Sequence, residues 1–174
     1  MRAELYPIER PGSGTLSVMA RPRGGDWLAD EIHAWRQAGV NVVVSLLTAA
    51  EQTELGLEDE AFLCEQSHLT FWSLAISDRA LPSERAEVER LVAEIGAALQ
   101  AGQHVAVHCR MGVGRSAMIA AATLVALGDT PQQAFARVET ARGLPVPDTQ
   151  EQRRWVEQYA SPEDQSSSSF ADTP

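Results

Sequence analysis

The residue types that can do chemistry are concentrated in residues 108–116 of this 174-residue chain, which read HCRMGVGRS. Cys109 supplies a thiol, Arg115 a guanidinium and Ser116 a hydroxyl, with two glycines between the first two. The residues before this stretch predict a strand, and those after it predict a helix. A loop from a strand to a helix N-terminus points several unpaired backbone N–H groups at one place, where the helix dipole adds positive charge. The sequence therefore predicts a loop that binds an anion at residues 109–115, which we call the anion loop.

The side chains of the anion loop indicate phosphoryl chemistry. Amide dipoles and a nearby guanidinium lower the pKa of a thiol, so Cys109 is the expected nucleophile. Arg115 can pair bidentately with two phosphate oxygens, and Ser116 can donate a hydrogen bond to the departing sulfur. We therefore assign Cys109, Arg115 and Ser116 to catalysis. The intervening residues are predicted to bind the substrate, partly through backbone that glycine leaves accessible: Arg110, Met111, Gly112, Val113 and Gly114.

The histidines indicate support of the loop rather than metal binding. His108 ends the predicted strand, and successive strand side chains alternate between faces, so we expect it to point away from Cys109. Its expected role is to hold the loop through hydrogen bonds. The other three histidines, His33, His68 and His104, have no ligand spacing with a carboxylate. We predict no metal and no cofactor.

The elements that must position the anion loop alternate between strand and helix. Strands are predicted at residues 15–19, 40–47, 69–76 and 103–108, with 40–47 the best candidate for a central strand. One further helix is predicted to bury Cys64 on its inner face. Helix starts are predicted at Asp26, Thr48 (a capping box with Glu51), Ser83, Ser116 and Thr130, and at either Asp148 or Thr149. This order predicts an α/β fold with a mainly parallel central sheet flanked by helices.

Composition and charge limit the classes of protein. The chain is 44% hydrophobic and 22% charged, which predicts one globular domain at residues 1–160 and a polar, serine-rich tail at 161–174. A net charge of −10 disfavours binding to nucleic acid or to an anionic membrane, although no acidic residue occurs between Ile95 and Gly128. With no apolar run long enough to span a bilayer, no signal-like start and only two cysteines, we expect a cytoplasmic monomer.

Residues 108–116 match in full the signature of the protein tyrosine phosphatase superfamily. Residues 76–82 resemble the general-acid loop of small dual-specificity phosphatases, and residues 142–152 resemble their closing Arg-Gly…Thr-x-x-Gln segment. The compact kinase-associated and dual-specificity phosphatases are the most similar group. The resemblance implies the cysteine-phosphatase fold and catalysis by Cys109, Arg115 and Ser116, with Asp78 as general acid. It also implies a phosphorylated protein or a small phosphoester as substrate, hydrolysed through a phosphocysteine.

Several alternatives stay open at this stage. A phosphate-binding module without turnover, or a sulfur-transfer or arsenate-reducing enzyme, would also place a cysteine on an anion loop. The substrate can be phosphotyrosine, phosphoserine or phosphothreonine, an RNA end, a phosphoinositide or a small metabolite, because the fold does not decide it.

Individual side chains also have two interpretations. Cys64 either packs in the core or acts as a resolving thiol for Cys109. Gln152 either orients water or stabilises the last helix, and Arg79 and Arg110 either contact substrate or are ordinary surface residues. Met111 replaces the small residue often found there. We expect all four tryptophans in packed positions: Trp27, Trp35, Trp72 and Trp155.

Overall fold

The computed structural model describes residues 4–159, which form a five-stranded sheet with helices on both faces. The strands are β1 (Tyr6–Ile8), β2 (Thr15–Met19), β3 (Val42–Ser45), β4 (Thr70–Ser73) and β5 (His104–His108), in the spatial order β1-β2-β5-β3-β4. All neighbours are parallel except β1, which runs antiparallel to β2. The predicted α/β class with a mainly parallel sheet is confirmed. The predicted tail at 161–174 lies outside the described residues.

Seven helices in the described residues pack on this sheet. They are α1 (Leu28–Gln37), α2 (Ala49–Leu55), α3 (Glu60–Gln66), α4 (Arg85–Gln100), α5 (Arg115–Ala126), α6 (Pro131–Arg142) and α7 (Gln150–Tyr159). Within residues 4–159, no helix has the length and apolarity needed to cross a membrane.

The sheet separates two apolar cores because neighbouring strand residues point to opposite faces. In β3, Val42 and Val44 pack in the first core, with residues of α4, α5, α6 and α7, whereas Val43 packs in the second, with residues of α1 and α3. Each core is built from fully buried aliphatic side chains, and burial of one such side chain stabilises the fold by roughly 1.5–3 kcal/mol. The two cysteines divide between them: Cys109 lies in the first core and Cys64 in the second.

The strands differ in detail from the predictions. The predicted strand 40–47 is β3, an interior strand, but the middle of the sheet is β5. The predicted strand 69–76 ends at Ser73, although Leu74 and Ile76 still donate backbone hydrogen bonds to the carbonyls of Ser45, the last residue of β3, and Leu46. The prediction missed β1, because three residues that include Pro7 are too few to show periodicity.

Two predicted helix starts were wrong. Asp26 lies inside a 3-10 turn, Gly25–Trp27, and α1 begins after it. The cap of α4 is Glu84 in an extended conformation, not Ser83. The start of α2 is confirmed, because Thr48 and Glu51 form a reciprocal capping box. Thr130 forms another with Gln133 at the start of α6.

One of the four tryptophans is not packed as predicted. Trp27 is 53% exposed, because the 3-10 turn directs it outward, where the guanidinium of Arg23 lies 4.6 Å from its ring. Trp35 is buried in the second core, and Trp72 and Trp155 are partly buried against the first.

Candidate active site

The anion loop joins the carboxyl end of β5 to the first turn of α5, in the crevice where ligands bind in open α/β sheets. Gly112 has a φ of +71°, and a Cβ there would lie 2.6 Å from the carbonyl oxygen of Met19. A side chain is therefore excluded at Gly112 by both conformation and space. At Gly114, the N-cap of α5, a Cβ would overlap the carboxylate of Asp148. The two glycines thus let the loop pass between β2 and the segment before α7.

Cys109 is 3% exposed, and its sulfur lies 3.4 Å from the Ser116 hydroxyl. Burial alone would raise the pKa of this thiol. Hydrogen bonds from the Ser116 side chain and from the amides of Ser116 and Gly112, together with the charge of Arg115, lower the pKa overall. The thiolate is therefore favoured, as predicted from the sequence of the loop.

Arg115 is held by a dense set of acceptors although it is only 1% exposed. Its Nη1 and Nη2 atoms donate to the two carboxylate oxygens of Glu51 at 2.8 and 2.9 Å. Nη1 also donates to the Ile76 carbonyl at 2.7 Å, and Nη2 donates to Oδ1 of Asp78 at 3.0 Å. The guanidinium is thereby fixed in position at the floor of the crevice.

Asp78 reaches the same place from the loop that follows β4. A turn closed by a 3.0 Å hydrogen bond from the Ala80 amide to the Ser77 carbonyl places Asp78 and Arg79 at its corner, with Arg79 at a φ of +58°. The Asp78 side chain is 55% exposed, so it can exchange protons with solvent while one oxygen contacts Arg115. The structure therefore brings together Cys109, Arg115, Ser116 and Asp78.

Cys109 and Asp78 border a cavity of about 160 Å³, and the buried Ser116 and Arg115 contact these two residues. Its lining is Asp78, Arg79, Cys109, Arg110, Met111 and Asp148. Of the predicted substrate-binding residues, Arg110 and Met111 line the cavity, whereas Gly112, Val113 and Gly114 are not among its lining residues. Arg110 forms an ion pair with Glu54, and Met111 is 65% exposed at the rim.

Comparisons with known proteins identify the family of the chain. The sequence profile of the "Polymorphic toxin system, DSP-PTPase phosphatase" family matches residues 17–129, which is more than half of the chain. The chain belongs to this family. It is therefore a cysteine-dependent phosphatase of the dual-specificity type, and the resemblance found in residues 108–116 is confirmed. No curated protein matches the chain.

Solved structures of phosphatases share the fold. Kinase-associated phosphatase with a substituted catalytic cysteine superposes with a TM-score of 0.81, at 18% identity over 91% of this chain and 94% of that one. The Yvh1 phosphatase domain of Chaetomium thermophilum gives 0.64, at 18% identity over 90% and 95%. PTPMT1 in complex with PI(5)P gives 0.70, at 18% identity over 83% and 89%. At such identities the likeness shows the fold alone.

The sequence did not indicate that Glu51 contacts Arg115, because Glu51 was recognised only as part of a capping box. The carboxylate accepts from the Thr48 amide at 3.0 Å while it also holds Arg115. Burial would raise the pKa of Glu51, but the Arg115 contacts and the Thr48 hydrogen bonds lower it to about 2. The available signal was its position: a glutamate one turn beyond the carboxyl end of a predicted interior strand lies at the edge of the sheet where an active site is expected.

The remaining predicted residues lie behind or beside the cavity. His108 points to the face opposite Cys109, as predicted, towards Trp35 and Glu60. Gln152 is buried and its Nε2 donates to the Ala80 carbonyl at 3.3 Å, so it contacts the loop that carries Asp78. Cys64 is buried in the second core, where burial raises the pKa of its thiol to about 12. No cluster of potential metal ligands occurs in residues 4–159.

Proposed function

We propose that this phosphatase hydrolyses phosphomonoesters of proteins, phosphotyrosine foremost, through a phosphocysteine intermediate. Cys109 is the nucleophile, Arg115 the phosphate clamp, Asp78 the general acid and Ser116 the donor to the leaving sulfur. The observation that carries this proposal is that Cys109 and Asp78 line one cavity and are contacted by the buried side chains of Ser116 and Arg115, both in the first turn of α5.

In the first step, the Cys109 thiolate attacks phosphorus in line and the bond from phosphorus to the ester oxygen breaks. Asp78 gives its proton to that oxygen as it leaves. The loop amides and Arg115 donate hydrogen bonds to the three remaining phosphoryl oxygens and so stabilise the negative charge that spreads over them. The product of this step is an alcohol or a phenol and a phosphocysteine.

In the second step, the Asp78 carboxylate takes a proton from water, whose oxygen attacks phosphorus. The bond from phosphorus to sulfur breaks, and inorganic phosphate leaves. Ser116 stabilises the departing thiolate by donating its hydroxyl hydrogen, which the 3.4 Å separation of the two atoms allows. No cofactor takes part in either step.

The contact between Arg115 and Asp78 must change when substrate enters. A phosphoryl group in the loop competes with Asp78 for the Nη2 hydrogen, while Glu51 continues to hold the other side of the guanidinium. Asp78 is then released towards the ester oxygen of the substrate. The solvent-facing position of its carboxylate supports this exchange of partners.

The walls of the cavity support a protein substrate. Met111 offers an exposed apolar surface against which an aromatic ring can pack, which favours phosphotyrosine, with phosphoserine and phosphothreonine as further substrates. Of the two arginines that line the cavity, Arg110 is already engaged by Glu54, which disfavours a more highly charged phosphoinositide or RNA end. A binding module without turnover is disfavoured, because both the thiol and the acid are present.

We also propose that the enzyme acts as a monomer in the cytoplasm. A thiolate nucleophile must stay reduced, and reducing compartments keep it so.

Turnover by two variants tests the proposed roles. Cys109→Ser should abolish hydrolysis of a phosphotyrosine peptide while vanadate or phosphate still binds weakly, because the amides and Arg115 remain. Arg115→Lys should lower activity by orders of magnitude because the planar fork is lost. Cys64→Ser is the matched control and should stay active. More than a tenth of wild-type turnover in Cys109→Ser would refute the nucleophile.

A substrate panel tests the proposed class. Phosphotyrosine, phosphoserine and phosphothreonine peptides are compared with a phosphoinositide and a 5′-phosphorylated RNA at equal concentration. The proposal expects the highest kcat/KM for a phosphotyrosine peptide. A higher value for the lipid or the RNA would replace the protein substrate with that class.

The family description supports a biological setting for this activity. We propose that the domain acts within a polymorphic toxin system by dephosphorylating proteins of the cell that receives it. Inducible expression in a bacterial host should slow growth for the wild type and not for Cys109→Ser at equal protein level. Equal growth of the two strains, in bacterial and in yeast hosts, would contradict a toxic role.

A further inference from the structure

A buried carboxylate pairs with the histidine that precedes Cys109 in the chain. Glu60 of α3 is 1% exposed, and within residues 4–159 its ionic contact is with Nε2 of His108 at 2.9 Å. Neither carboxylate oxygen has a hydrogen-bond partner of good geometry in this part of the chain. A buried ion pair is costly to desolvate and often adds nothing to stability, so its presence at this position needs another explanation.

The surroundings of His108 determine its protonation. Its Nδ1 lies 3.3 Å from the carbonyl oxygen of Cys109, and its Nε2 faces the carboxylate of Glu60. Both neighbours accept hydrogen bonds, whereas a neutral imidazole has only one N–H to donate. The imidazolium can donate to the Cys109 carbonyl and pair its charge with Glu60, whose contact with Nε2 is ionic and lacks hydrogen-bond geometry. Burial opposes this charge, but the carboxylate of Glu60, the Cys109 carbonyl and the Cys109 thiolate raise the pKa of His108 overall.

The order in which Glu60, His108 and Cys109 contact one another determines whether the pair stabilises or destabilises the negative charge on the Cys109 sulfur. His108 is adjacent to Cys109 in the chain, and Glu60 contacts the ring nitrogen on the far side. The imidazolium therefore lies between the Glu60 carboxylate and the Cys109 carbonyl, and its charge interacts with that of the Cys109 thiolate. On its other sides Cys109 faces Arg115 and Ser116, and the cavity in front holds Asp78, Arg79, Arg110 and Asp148. Cys64, which also feels Glu60, stays a neutral thiol.

We propose that Glu60 is a positioning residue for the nucleophile. It keeps His108 as an imidazolium, whose Nδ1–H anchors the Cys109 carbonyl and whose charge stabilises the Cys109 thiolate. This inference rests on the proposed role of Cys109, and it adds a residue of α3 that no motif in the sequence indicates. The effect reaches the reaction only through His108.

Glu60→Gln keeps the shape of the side chain but cannot retain the second proton on His108. In the folded variant, alkylation of Cys109 by iodoacetamide near pH 6 should slow about three- to tenfold, because the thiolate fraction falls. The acidic limb of kcat/KM should shift to higher pH in the same variant. Glu65→Gln, an exposed position on the same helix, should change neither quantity. Peptide mapping separates alkylation of Cys109 from that of Cys64.

A double-mutant cycle tests the route through His108. Glu60→Gln added to His108→Gln should cause no further slowing of alkylation, whereas additive losses would refute a shared mechanism. An unchanged alkylation rate and pH profile in folded Glu60→Gln would overturn the proposal. If Glu60→Gln does not fold, nitrogen NMR of His108 in the wild type decides: the proposal requires protons on both ring nitrogens near neutral pH, and a neutral ring refutes it.

These measurements are separable from the proposed catalysis. Neither alkylation nor the NMR signal of His108 requires turnover. If Cys109→Ser remained active, the proposed function would fail while the coupling of Glu60 to the Cys109 thiol would still be measured. If the coupling is absent and Cys109→Ser is inactive, only the role of Glu60 is lost.

Discussion

Arg115 shows how a single side chain can link two acids with different tasks. Glu51 holds it from the buried side with two hydrogen bonds, and Asp78 meets it at the edge of the cavity with one. The buried carboxylate keeps the guanidinium in place, because leaving such a cation unpaired is costly. The exposed carboxylate is free to change partners. At the scale of residues, the proposed mechanism therefore assigns support of Arg115 to Glu51 and proton transfer to Asp78.

Asp78→Asn tests proton transfer. A tyrosyl oxygen leaves poorly without a proton, so hydrolysis of a phosphotyrosine peptide should slow by roughly 10²–10³-fold, and the basic limb of its pH profile should flatten. An activated aryl phosphate needs less help and should lose much less activity. Asp148→Asn, the other carboxylate of the cavity, is the control and should keep the basic limb. Equal losses on both substrates in Asp78→Asn would show that Asp78 is not the acid.

Glu51→Gln tests whether the Glu51 carboxylate stabilises the buried Arg115 guanidinium. Removing one partner of a buried ion pair should lower the free energy of unfolding by about 3 kcal/mol at pH 7. The pKa of Glu51 is about 2 in the folded state against 4.5 for an ordinary glutamate, so its contribution is complete above pH 4.5 and is lost as the pH falls towards 2. Urea unfolding at pH 7, 4 and 2.5 should show wild type and variant converging. Glu54→Gln, exposed on the same helix, should differ little from wild type, and a constant gap for Glu51→Gln would contradict the assignment.

At the scale of elements, the site is formed by three segments, each of which follows a parallel strand. The anion loop follows β5, the loop with Asp78 follows β4, and the capping box of α2 follows β3. Parallel pairing brings these ends to one edge of the sheet. The start of α7 adds Asp148 over the anion loop and Gln152 under the Ala80 carbonyl.

Two glycines of the anion loop should respond differently to alanine. Gly112→Ala meets the backbone of Met19 at a φ of +71°, so it should distort the loop and lower kcat/KM severely. Gly114→Ala meets only the side chain of Asp148, which is exposed and can turn away. Its loss should be smaller, and Asp148→Ala should restore activity to Gly114→Ala but not to Gly112→Ala. Rescue of Gly112→Ala by Asp148→Ala would contradict this account of the loop.

At the scale of the whole molecule, the sheet divides the chain into two cores with different chemistry around their cysteines. Cys109 reaches the cavity from the first core and carries a lowered pKa. Cys64 packs under the opposite face, and burial raises the pKa of its thiol to about 12. These surroundings favour packing over a resolving role for Cys64.

The two cysteines should therefore differ in their sensitivity to oxidation. Peroxide should convert Cys109 to sulfenic and then higher acids, because the thiolate is the form that reacts, and Cys64 should remain a thiol. Peptide mapping after graded peroxide treatment measures both sites. Cys64→Ser should lose activity to peroxide at the wild-type rate. A disulfide between Cys64 and Cys109 as the main product would restore the resolving role.

The sequence alone determined the features that depend on neighbours in the chain. The anion loop, the strand before it and the helix after it are encoded within residues 103–127, and the capping box at Thr48 within four positions. Periodicity and caps act over such distances, so the α/β class and the positions of Cys109, Arg115 and Ser116 could be predicted. The edges of elements, such as Asp26 and Ser83, were less certain because several residues can cap a helix.

Only the tertiary structure decided which distant side chains meet. Glu51 and Arg115 are 64 positions apart, and their contact depends on how α2 follows β3 beside the middle strand. The pairing of Glu60 with His108 depends equally on how α3 packs on the second face. A buried acid looks in sequence like any surface acid, because burial is set by the packing of elements and not by local pattern. Thus the sequence indicated the proposed nucleophile and its loop, and packing decided which acids contact the loop and its neighbours.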